Sequence, residues 1–171
     1  MKHWDIIIDL LKKTPPKRCA EVGVWKGNFA IKLLKEFPQI KLYFAVDLWE
    51  HYDDFTKILD PNKEMANCDF NKIYNDFKNR VKHFDNVRIV RKTSKEASKM
   101  IKNLDFVFID ANHAYEYMKE DIKLWLPRMN EGGLISGHDY GNKRFGVTQA
   151  VNELLPKAKS KGSVWYMRVG N

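Results

Sequence analysis

Short apolar runs alternate with amphipathic stretches along almost the whole chain, and few folds can use that order. Strand-like runs near 19–24, 41–46, 87–91, 106–109, 133–137 and 164–169 are separated by helical periodicity over 28–37, 71–84, 94–102, 115–129 and 147–155. A strand that leads into a helix and returns as a parallel neighbour does so by a right-handed crossover, which places helices on both faces of the sheet. The pattern predicts an α/β fold with a doubly wound, mainly parallel, Rossmann-like sheet. Ahead of it, residues 4–12 carry apolar side chains at helical spacing and stop at Thr14-Pro15-Pro16, which predicts a packing helix within 1–16. Gly132-Gly133 reads as the stop of the 115–129 helix before the next strand. The connection over 49–70 is longer than crossover loops usually are; it reads either as a lid or as an irregular surface excursion with a helical turn near 53–59.

A chain of 171 residues can bury one sizeable core and is too short for two ordinary domains, so 1–171 is expected to form a single domain. Its 44% hydrophobic and 30% charged residues fit a globular protein and argue against disorder. Cys19 and Cys68 stand far apart with no Cys-x-x-Cys pair, so neither a disulfide framework nor a zinc site is indicated and a reducing compartment fits. Ile6-Ile7-Ile8 lies between Asp5 and Asp9 and is too short for a membrane span or a secretory core, which points to a soluble, cytoplasmic protein without a membrane partner. The formal charge of +8 favours anionic partners at long range. The lysines, however, are spread over nearly every helix, as solvated faces are, so nucleic acid is the weaker expectation beside a small-molecule acceptor.

In an open α/β sheet, ligands bind beyond the carboxyl ends of the strands, near the point where strand order reverses. The chemically informative residues fall at those ends. Glu21 through Gly27 closes the first strand, Asp47 with Leu48 closes the second, and Thr93 and Ser94 follow the third; Asp110 closes the fourth and His138-Asp139 the fifth. Gly23 and Gly27 stand on a strand-to-helix turn, where backbone can approach a ligand and helix N–H groups can meet an anion. A dinucleotide turn would require glycine at 25 and 28, where Trp25 and Asn28 stand, which argues against NAD and FAD. An acid after the second strand suits a ribose, because one carboxylate accepts from both vicinal hydroxyls. Ser94, or Thr93, is placed to meet a base edge. Each residue also has a plain structural use: a lysine partner for Glu21, a turn at Gly27, a cap at Asp47, Asp110 or Asp139.

The segment Glu21-Val22-Gly23-Val24-Trp25-Lys26-Gly27, an acid that opens the turn followed by Gly-x-x-x-Gly, resembles motif I of the class I S-adenosylmethionine-dependent methyltransferases. Two further runs carry a closer resemblance: Asp110-Ala-Asn-His113-Ala-Tyr115, and Gly132-Gly133 with His138-Asp139-Tyr140. They are similar to the macrocin and related sugar O-methyltransferases, with catechol O-methyltransferase more distant, over about residues 18–155. The resemblance implies S-adenosylmethionine as cofactor, held by Glu21, Gly23, Gly27, Asp47, Leu48, Thr93, Ser94 and Asp110. It implies an antiparallel hairpin at the carboxyl-terminal sheet edge, here abbreviated to a stub near 157–160 that pairs with 164–169. It also implies an acceptor hydroxyl beside Asp110 and Asp139, which in the wider group hold Mg²⁺.

Two mechanisms follow. In one, a divalent metal, Mg²⁺ or Mn²⁺, sits among Asp110, His138 and Asp139 and lowers the pKa of the hydroxyl; the imidazole of His138, where relatives supply a carboxylate, favours the softer ions. In the other no ion is needed, and His113 or His138, assisted by Asp110, takes the proton. His113 stands three residues after Asp110, where catechol-type relatives place a basic lysine, which favours it as the base. Trp49, His51, Tyr52, Phe55 and Tyr140 could line the acceptor pocket. Competing readings are an RNA methyltransferase and a non-catalytic S-adenosylmethionine-binding module. Amino-directed DNA enzymes are disfavoured, because Asp110-Ala-Asn-His stands where they carry Asn/Asp-Pro-Pro-Tyr/Phe.

Overall fold

The computed structural model describes residues 3–50 and 68–170. The expected lid over 49–70, with His51, Tyr52 and Phe55, falls mostly outside the described residues. In chain order the elements are α1 (His3–Lys12), β1 (Arg18–Val22), α2 (Asn28–Glu36), β2 (Leu42–Asp47), α3 (Phe70–Val81), β3 (Val87–Arg91), α4 (Ser94–Met100), β4 (Leu104–Ile109), α5 (Tyr115–Trp125), β5 (Met129–Gly137), α6 (Val147–Leu154), β6 (Lys159–Lys161) and β7 (Val164–Arg168). The strands form one sheet in the order β3-β2-β1-β4-β5-β7-β6. The first five pair in parallel, and β7 runs antiparallel to both β5 and β6. The short β6 is the abbreviated edge expected from the sequence.

Alternation along the strands sorts the core into two layers. On one face α1, α2 and α3 bring Ile7, Leu11, Leu33 and Phe77 against Cys19, Tyr43, Phe106 and Phe108. On the other, α4, α5 and α6 bring Ala97, Ile122 and Val151 against Ala20, Val22, Val107 and Ile109. Each large side chain so buried contributes roughly 1.5–3 kcal/mol, which is why the central strands β1 and β4 are almost continuously apolar. Helix starts are set locally: Asp69 accepts from the Lys72 amide at 3.0 Å, and Thr93 and Glu96 form a capping box at the head of α4.

Register brings the strand tips level. Val22 is opposite Val46 and Ile109, and Ile109 is opposite Gly137, so Gly23, Asp47, Asp110 and His138 follow at one height along the sheet. The order reverses between β1 and β4, which is where a crevice is expected.

One sequence expectation is overturned. Gly132-Gly133 does not stop a helix: α5 ends at Trp125, Pro127 lies in a 3₁₀ turn, and both glycines belong to β5. The pairing of β4 with β5 shifts between Leu104 and Phe106, and Gly132 adopts φ +75° in that irregular stretch. A Cβ on Gly133 would lie 2.9 Å from the Asn130 carbonyl oxygen, so the bulged strand and not a helix terminus requires glycine here.

Candidate active site

The turn after β1 is held by a single carboxylate. Asp47 Oδ2 accepts from the Val24 and Trp25 amides at 2.9 and 2.8 Å, and Oδ1 accepts from the Trp49 amide at 2.8 Å. Trp25 and Trp49 both adopt left-handed backbone, φ 52° and 47°, which non-glycine residues hold only when their surroundings fix them. The Trp49 indole closes the latch by donating to the Trp25 carbonyl at 3.0 Å. Burial raises the Asp47 pKa, and the backbone donors, Trp25 first, pull against it. Arg91 braces the same loop through the carbonyls of Leu48 and Trp49, at 3.2 and 3.0 Å, and stands 3.6 Å from Glu50.

Glycine is required at Gly23 for closure between strands. Its φ is +90°, and a Cβ there would lie 2.3 Å from the Asp110 carbonyl oxygen. Gly27, φ +72°, faces the Phe77 ring of α3 at 2.3 Å from such a Cβ, so it serves packing of the turn. Glu21 is buried and accepts from the Tyr43 hydroxyl, with no lysine partner among the described residues. Burial pushes its carboxyl well up, with the Tyr43 bond opposing and the Asp110 and Asp47 charges adding.

Beyond these tips lies a cavity of about 450 Å³, within the ~300–1,000 Å³ of small-ligand pockets. Gly23, Asp47, Leu48, Thr93, Ser94 and Asp110, six of the cofactor residues expected from sequence, line it together. Glu21 and Gly27 do not. Sequence reasoning missed Glu50, Tyr117 and Asp121, which also line it. The signal for Asp121 was present: Met118, Ile122 and Trp125 are buried on α5, and an acid at their helical spacing interrupts an apolar stripe.

Asp110 connects the cavity to a second group of polar side chains. His113 Nε2 lies 3.2 Å from Asp110 Oδ1 and 3.2 Å from Asp139 Oδ2, and its ring stacks on Phe145. His113 Nδ1 is buried without a partner. His138 Nδ1 lies 3.1 Å from Asp139 Oδ2 and its Nε2 2.8 Å from the Ser163 hydroxyl, while the His3 ring of α1 stands over it at 4.2 Å. Burial lowers the His138 pKa, but the Asp139 hydrogen bond and the Asp110 and Asp139 charges outweigh it and leave it raised. Asp139, φ 59°, is the converse: burial raises its carboxyl, and the His138 bond with the His113 and His138 charges leaves it lowered. Donor atoms of Asp110, His113 and Asp139 lie within 4.8 Å of one another. Among the described residues the cluster thus gathers around His113, with His138 engaged by Asp139 and Ser163.

Among the described residues no helix is long and apolar enough to cross a membrane. The architecture is shared with solved methyltransferases. CalS11, a calicheamicin methyltransferase, is 14% identical with TM-score 0.71, over 98% of this chain and 77% of that one. TrmN from Thermus thermophilus is 11% identical with TM-score 0.68, over 97% and 48% of the two chains. A ribosomal protein L11 methylase from Lactobacillus delbrueckii subsp. bulgaricus is 17% identical with TM-score 0.61, over 97% and 76%. At these identities the likeness establishes the fold alone. No curated protein matches the chain. The sequence profile of the methyltransferase domain family matches residues 20–140, well over half of the 171, so the chain belongs to that family, and with it goes the use of S-adenosylmethionine as methyl donor.

Proposed function

We propose that this methyltransferase transfers the methyl group to a hydroxyl oxygen of a small acceptor such as a sugar or phenol. The observation that carries the reading is the Asp110-His113-Asp139 cluster, joined to the cofactor cavity through Asp110. In this reading the amino-acid part of the cofactor lies against Gly23 and Trp25, and its ribose hydroxyls meet Asp47 and Glu50. The acceptor oxygen attacks the sulfonium methyl in line, the C–S electron pair passes to sulfur, and the hydroxyl proton leaves for a base. Alignment supplies most of such catalysis. His113 is the base in this reading; Asp110 and Asp139, each 3.2 Å from its Nε2, orient the ring and stabilise the imidazolium that forms. CalS11, one of the structural neighbours, is a TDP-rhamnose 3′-O-methyltransferase, an enzyme of the class proposed here.

A second reading of the same cluster is a divalent cation held by Asp110, His113 and Asp139. Two carboxylates and an imidazole with donor atoms this close fit Mn²⁺ better than Mg²⁺. Bound there, such an ion would supply Lewis acidity toward the acceptor hydroxyl. The test is release of S-adenosylhomocysteine during incubation with S-adenosylmethionine and panels of sugars, catechols and RNA, with and without chelator. Turnover on a sugar or phenol supports the proposal, and turnover on RNA alone refutes it. Chelator sensitivity selects the cation reading, and chelator resistance selects His113 acting alone.

A further inference from the structure

Both hydroxyls expected to meet the base already give their proton to a protein partner. Thr93 is spent on its capping box, donating its hydroxyl to Glu96 and accepting the Glu96 amide. Ser94 is spent as well: its oxygen accepts the Trp125 indole N–H at 2.8 Å, and its only proton goes to Asp121 Oδ1. Asp121 lines the cavity, is 6% exposed, and its Oδ2 accepts no hydrogen bond from any described residue. Lys95 and Glu120, which line the same cavity, pair with each other at 3.5 Å.

We propose that Asp121 is the adenine-reading residue of the site, with Oδ2 accepting the exocyclic amine of the base. The inference rests on the S-adenosylmethionine reading of the cavity and extends it to specificity. Asp121 is only 6% exposed, and a carboxyl so little hydrated gains from a donor that a ligand brings to the oxygen Ser94 leaves unclaimed. The adenine amine is such a donor. Burial pushes Asp121 up to about 7, against the Ser94 hydrogen bond and with the Glu120 charge adding, which marks a carboxyl without a cationic partner. The Trp125-Ser94-Asp121 chain also fixes which carboxyl oxygen is already bonded. Ser94 bonds Oδ1, which leaves Oδ2 for a ligand donor, and α5 carries Tyr117 and Asp121, both lining the cavity, on the same face by their i, i+4 spacing.

Hypoxanthine in place of adenine turns the amine into a carbonyl oxygen, which at about pH 8.5, where Asp121 is ionised, would face its carboxylate acceptor to acceptor. The experiment is calorimetric titration, at that pH, of the native protein and of Asp121→Asn with S-adenosylhomocysteine and S-inosylhomocysteine. The native protein is expected to prefer the adenosyl compound by roughly 10- to 100-fold. In Asp121→Asn the Ser94 hydroxyl holds the amide oxygen, the amide nitrogen faces the ligand, and the preference narrows or inverts. Equal affinity of the native protein for both compounds overturns the proposal while leaving the cofactor reading intact, and needs no variant to be folded. An Asp121→Asn protein that discriminates as the native one does also overturns it. Binding of neither compound removes the cofactor reading and this inference together.

Discussion

Replacing Asp47 with alanine should damage the protein twice, in stability and in cofactor binding. Its carboxylate accepts three backbone amides, from Val24, Trp25 and Trp49. Hydrogen bonds to a charged acceptor contribute about 1.5–3 kcal/mol each, so the gross loss is roughly 5–9 kcal/mol. Water entering from the cavity would satisfy part of what is freed, and the desolvation of a buried acid disappears with it, leaving a net cost of about 2–4 kcal/mol. For a chain of this size that lowers the melting temperature by roughly 5–15 °C. Trp25 and Trp49, no longer held in left-handed backbone, should relax and carry the turn away from the ligand. Differential scanning calorimetry with and without S-adenosylhomocysteine measures both effects. An Asp47→Ala protein that melts within a degree or two of the native one, yet loses the ligand, would refute the latch and leave Asp47 as a ribose contact only.

Three further outcomes are expected. Gly23→Ala should cost about 3 kcal/mol or more, measured by chemical denaturation, because its Cβ would meet the Asp110 carbonyl oxygen at 2.3 Å on a backbone of φ +90°. Asp121 has a folded-state pKa of about 7, above its unfolded value, so its contribution is whole in acid and is lost as pH rises toward 7. Asp121→Asn should therefore be more stable than the native protein at pH 8, by up to about 4 kcal/mol, with the gap closing toward pH 4 in urea titrations. Asp139→Asn should slow methyl transfer by roughly 10²–10⁴ with S-adenosylhomocysteine affinity unchanged, since Asp139 acts on the acceptor side of Asp110.

The strand tips were legible because parallel strands leave a plain signature: an apolar run, then a polar or glycine residue where the chain turns. Gly23, Asp47, Asp110 and His138 could all be placed that way, and the register confirms their common level. What the sequence could not show was how far each group was already committed. Glu21 stands outside the cavity lining and bonds Tyr43, and Ser94, which does line the cavity, already bonds Asp121. Gly27 answers to Phe77 on a helix some fifty residues away. Gly132-Gly133 misled for a different reason: a glycine pair after a helix has the same composition whether it ends that helix or relieves a bulge in the strand that follows. The approach of His3 to His138 joins opposite ends of the fold and has no local trace.

The central claim is that consecutive strand tips share one adenosyl crevice that opens through Asp110 onto the histidine cluster. A crystal structure of the S-adenosylhomocysteine complex tests it most directly. The account predicts ribose hydroxyls within hydrogen-bond distance of Asp47 or Glu50, the adenine amine at Asp121, and the sulfur turned toward Asp110 and His113. A ligand bound elsewhere, or one whose sulfur faces away from that cluster, would contradict it.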